Sequence, residues 1–93
     1  MAHVNQVTLV GHVTHVEEKP GVLHAMVMTE EHYNGETHSQ HHRVAAYGKA
    51  VKTTGIVIGT LLAVEGKITY PKNDHGYNTT GALIVAFRVE EVT

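Results

Sequence analysis

The chain contains no cysteine, so it can form neither a disulfide framework nor a thiolate metal site, and this suits a reducing compartment. It has no apolar run near 18 residues and no charged-then-apolar leader. Neither a membrane span nor a signal peptide is predicted, and the expected location is the cytoplasm. Tryptophan is absent, phenylalanine occurs once and proline twice. Charge is sparse: seven Lys and Arg against nine Asp and Glu leave a net −2, which argues against a generic polyanion binder. The nine histidines are the exception, since their complete protonation would take the net charge from −2 to +7, and imidazoles titrate near neutral pH.

What is present is enough for one small core. Ninety-three residues make a single domain, 1–93, and 42% hydrophobic content excludes a disordered chain. The positive residues Arg43, Lys49, Lys52, Lys67 and Lys72 fall mid-chain, away from the pairs Glu17/Glu18, Glu30/Glu31 and Glu90/Glu91. A local basic surface is therefore compatible with the negative net charge.

Turn residues divide the chain into short β-like segments. "VNQVTLVGHVTHV" (4–16), with Gly11 as a bulge or bend, and "GVLHAMVMTE" (21–30) flank a Pro20-Gly21 turn. Asn34-Gly35 signals a hairpin into "SQHHRVAAYG" (39–48). "LLAVEGKITY" (61–70) and "YNTTGALIVAFRVEEV" (77–92) are joined by a polar turn with Asn73, Asp74 and Gly76. Between strands three and four, "KAVKTTGIVIGT" supports at most a short helix, because its threonines, glycines and β-branched residues oppose a longer one. Five short strands predict an all-β closed or nearly closed antiparallel barrel, since closure removes exposed edges.

Strand parity sorts the histidine-rich third strand. His42, Val44 and Ala46 share the predicted core face; His41, Arg43, Ala45 and Tyr47 share the other. The second set offers an imidazole, a guanidinium and a phenol in one row, suited to stacking bases and neutralising phosphates; the plain alternative is an ordinary polar outer face. No metal site is expected, because His41 and His42 point apart, and "HVTH" (12–15) has the same parity conflict unless a bulge intervenes. Ser39 near His41 lacks an orienting carboxylate or oxyanion hole, so no catalytic group and no cofactor is predicted.

The chain resembles the bacterial and phage single-stranded DNA-binding proteins. The resemblance rests on "VNQVTLVG" at 4–11, "HHRVAAYGK" at 41–49 and "VEGKI" at 64–68, in that order, with "YNTTGALIV" at 77–85 similar to the family's last strand. It implies a five-stranded Greek-key OB-fold barrel with a short or missing helix between strands 3 and 4. It also implies sequence-independent binding of single-stranded DNA in replication, recombination or repair, with no chemistry performed.

Carried over by position, the stacking residues are Tyr33, His41 and Tyr47, with Tyr70 or Tyr77 in the last hairpin; Arg43, Lys49, Lys52, Lys67 and Lys72 are the phosphate contacts. Tyr and His stand where the family mostly has Trp and Phe, which implies weaker stacking per base. If His41 touches DNA, binding should tighten as pH falls. The chain ends at "RVEEVT", without the family's acidic tip, so recruitment of other proteins through such a tip is not expected. The resemblance implies a homo-oligomer, a tetramer first and a dimer second, through association of first strands. Alternative functions are that of the primosomal replication-restart protein, a short relative of the same fold, and an OB-fold protein–protein interaction module.

Overall fold

Two tight turns organise the first half of the chain. The computed structural model describes residues 3–48, 56–71 and 81–92, and in it β1 (Val7–Lys19) reverses into β2 (Val22–Tyr33) through Pro20-Gly21 alone. Gly21 has a φ of 79°, a conformation a type II turn requires after proline and glycine adopts without strain. Asn34 (φ 53°) and Gly35 (φ 74°) then connect β2 to β3 (Glu36–Tyr47), the pair of left-handed residues of a type I′ hairpin. Two-residue loops leave no room for unpaired chain. The strands therefore run three residues further into polar sequence than their composition suggests: β1 includes Glu17, Glu18 and Lys19, and the β2–β3 ribbon stays in register from Val22↔Tyr47 to Tyr33↔Glu36.

β4 (Leu61–Thr69) and β5 (Leu83–Glu91) complete a closed barrel of order β1-β2-β3-β5-β4, the OB-fold that the resemblance implies. β1 closes it by serving two partners, β4 through residues 7–12 and β2 through residues 12–19. The expected all-antiparallel barrel needs one correction. β3 and β5 are parallel, through Val44↔Ile84, Ala45↔Val85 and Ala46↔Ala86. An odd ring cannot alternate direction all the way round, so one neighbouring pair must run parallel. No α-helix occurs among the described residues; most of the segment considered for a short helix, and the polar turn with Asn73, Asp74 and Gly76, lie outside them.

Alternate residues fill the barrel. Val13, Val27, Leu62 and Val64 are almost completely buried, and Ile56, from the β3–β4 connection, joins the same cluster. Burying one such side chain stabilises by about 1.5–3 kcal/mol. Gly11 is not the bulge. It is paired with Leu62, and a Cβ there would collide with the Met28 carbonyl oxygen. Gly66 is under the same restriction, against the Val85 carbonyl, so each glycine is needed where two backbones approach too closely for a side chain. The bulge lies between Val13 and His15. On the side away from β2, the Val13 amide donates to the Thr60 carbonyl at 2.9 Å and its carbonyl accepts from the Gly59 amide at 2.7 Å.

Asn5 extends the closure beyond the strand proper. Its Nδ2 donates to the Ile68 carbonyl at 2.8 Å while its Oδ1 accepts from the Ile68 amide at 3.0 Å, so one side-chain amide replaces a peptide of the β1–β4 ladder. Because each such bond contributes about 0.5–1.5 kcal/mol net, Asn5→Ala should lower the urea-unfolding free energy by about 1–3 kcal/mol. Gly66→Ala should cost about as much by overpacking.

Candidate nucleic-acid interface

The bulge in β1 determines what that strand displays. His12 and His15 would face opposite sides of a regular strand, but the extra residue at Thr14 restores the parity, and both are exposed on the outer surface. β1 then aligns with its neighbours in four outward-facing rows. The pairings place His12, Met28 and His41 in one row, His15, Met26 and Arg43 in the next, then Glu17, His24 and Ala45, and finally Lys19, Val22 and Tyr47. The third row continues through Val85 of β5 to Lys67 of β4.

The chemistry of this face is an apolar floor with a polar border. Met26, Met28 and Val22 are half-buried, and Ala45, between Arg43 and the exposed Tyr47 on β3, is wholly covered. A groove of about 310 Å³ crosses the first three strands, lined in part by His15, Glu17, Lys19, His24, Met26 and Arg43. Lys19 Nζ lies 3.3 Å from Glu17 Oε1, both side chains more than half exposed. This pair nearly cancels in the groove's field and adds little to stability. Arg43 also lines the groove.

The sequence-predicted residues fall into three groups. His41, Arg43 and Tyr47 share the outer face of β3, and Lys67 reaches the same face two strands away. Tyr33 and Tyr70 lie apart. Tyr33 ends β2 in register with Glu36, which puts it on the opposite side of the ribbon from His41; there it stacks on His38, with centroids 4.2 Å apart and planes 12° from parallel. Tyr70 follows β4 and is exposed. Lys49, Lys52, Lys72 and Tyr77 lie outside the described residues.

His42 turns to the inner side, half-buried, with Nε2 2.9 Å from the Thr29 hydroxyl. Sequence reasoning did not select His12, His15, Lys19, His24 and Met26. The β1 set was hidden by the bulge; on β2, apolar residues on both faces blurred the alternation. Among the described residues no three His, Asp or Glu side chains converge as a metal ion requires.

No known family pattern matches the chain, and no curated protein sequence does. Solved structures do match in fold. The small single-stranded DNA-binding protein of Mycoplasma pneumoniae superposes with a TM-score of 0.74 at 12% identity, over 95% of this chain and 93% of that one. Its Streptomyces coelicolor counterpart superposes at 0.69 and 16% identity, over 94% and 91%. The single-stranded DNA-binding protein of Thermus aquaticus gives 0.75 at 21% identity, over 97% of this chain and only 50% of its own. At these identities the likeness is one of fold.

His12, His15, His24 and His41 all share the face that carries Arg43, Lys19, Lys67 and Glu17.

Proposed function

We propose that this chain binds single-stranded DNA without sequence preference, as a non-catalytic protein of replication, recombination or repair. The supporting observation is the row of His41, Arg43 and Tyr47 on the outer face of β3, beside an apolar-floored groove, in a barrel that superposes on small single-stranded DNA-binding proteins over nearly the whole of both chains. Every base has a π-face, so rings bind any sequence, while cations track the backbone. Arg43 and Lys67 neutralise phosphates, helped by Lys49, Lys52 and Lys72. Tyr47 and His41 stack bases, with Tyr33 and either Tyr70 or Tyr77 extending the path along the hairpins.

Assembly into a homotetramer belongs to the same reading. Residues 7–10 of β1 are paired to β4 on one side, and the β2 ladder begins only at His12. This leaves an apolar edge, with Val10 53% exposed, of the kind a second copy's first strand covers.

Titration of labelled oligo-dT at two salt concentrations tests the function. The wild type should bind, with log K falling by about 0.7 per phosphate contact for each decade of salt. Tyr47→Ala should weaken binding by about 1–3 kcal/mol at unchanged salt slope, because it removes stacking alone. Arg43→Ala should reduce affinity and slope together. No binding at low salt by a folded protein refutes the proposal. For assembly, light scattering should give four times the 10.1 kDa chain mass and Val10→Lys a smaller species; a wild-type monomer at micromolar concentration rejects the tetramer.

A further inference from the structure

The chain's single phenylalanine is 63% exposed, and a strand irregularity turns it outward. Along β4 and β5 the register steps from Glu65↔Arg88 to Gly66↔Ala86, leaving Phe87 as the extra residue with no partner on β4. Ala86 before it and Val89 after it are both buried. Phe87 and Arg88 are thus both directed away from the core, where strict alternation would expose one of them. Bulges commonly re-aim a side chain in this way. Arg88 is engaged locally, its Nη2 3.0 Å from Glu90 Oε2. Phe87 contributes nothing to the core cluster.

Its position gives the ring a use. The parallel β3–β5 ladder ends at Ala46↔Ala86, and one step further along the two strands stand Tyr47 and Phe87. Tyr47 is 51% exposed and closes the row Lys19, Val22 and Tyr47, and Phe87 stands at the corresponding step of β5. The neighbouring row carries Ala45, Val85 and Lys67, with Arg43 beyond it. Two exposed rings therefore follow the same end of the parallel ladder, next to a row that ends in a cation. The centre of a protein–protein contact is depleted of charge; rings alternating with cations suit a polynucleotide, whose bases and phosphates alternate in the same way.

We propose that Phe87 is a base-stacking residue, which with Tyr47 forms a two-ring platform on the β3–β5 side of the barrel for nucleobases of single-stranded DNA. This rests on the DNA-binding function proposed above and adds a contact that the sequence resemblance does not assign.

The absence of tryptophan makes the test site-specific. Phe87→Trp introduces a single indole whose emission reports stacking, and Val57→Trp, at an exposed position in the β3–β4 connection, is the control. Anisotropy of labelled oligo-dT follows binding independently, and circular dichroism establishes that each variant is folded. Oligo-dT should strongly quench the Phe87→Trp emission and barely change that of Val57→Trp. Phe87→Leu, which keeps the apolar bulk and removes the ring, should weaken binding by about five- to a hundredfold.

If oligo-dT binds but the two indoles respond alike and Phe87→Leu binds as the wild type does, the Phe87 site is refuted and the function stands. Loss of the oligomer in Phe87→Leu with unchanged DNA affinity makes the ring a subunit contact and also overturns the proposal. If the wild type itself does not bind, the function fails and the site with it.

Discussion

Closure of a ring of five strands is the constraint on which the rest of this structure depends. β1 must pair with β4 through its first half and with β2 through its second, so it has to bend between them. Gly11 permits the close backbone approach at the bend, and the extra residue after Val13 absorbs the change of register. The odd strand number forces the parallel β3–β5 contact. That contact sets β5, with its own bulge, beside the third strand. The two register shifts, in β1 and in β5, alter which side chains reach the outer surface.

The outer face combines few fixed charges with many imidazoles. Lys19 is paired with Glu17, and Arg43 and Lys67 stand among four histidines on the described part of the face. A surface of this kind relies on apolar and aromatic contact more than on fixed charge. The half-buried methionines suit it: Met26 and Met28 provide a polarizable, adaptable floor. The tip of the β2–β3 ribbon is different in character, with Glu30, Glu31 and Glu36 and no lysine or arginine between residues 28 and 42.

Legibility of the site from sequence followed the regularity of the pairing. Parity placed His41, Arg43 and Tyr47 together because the β2–β3 ribbon runs without a bulge from one turn to the other, so counting by twos holds along it. The same counting separates His12 from His15, and there it fails, because one residue of β1 lies outside the count. For Tyr33 the resemblance implies a stacking role by position, and the register adds that it lies across the ribbon from His41 and stacks on His38.

The local reversals, and the alternation between them, follow from short-range chemistry of the chain. Pro20-Gly21 and Asn34-Gly35 specify turns through backbone preferences of the residues involved, and valine-rich segments with polar partners specify strands with one buried face. The motif residues Asn5, Gly11 and Gly66 were visible as a pattern, but their reasons were not. Asn5 completes a ladder with Ile68, 63 positions away, and the glycines answer backbone from other strands. It takes the closed barrel to make β3 and β5 neighbours, to bring His15, His24 and Arg43 to one groove, and to place Phe87 and Tyr47 one step beyond the same end of the parallel ladder. Those relations arise from closing the chain over long separations, where the position of one side chain depends on every strand between it and its neighbour.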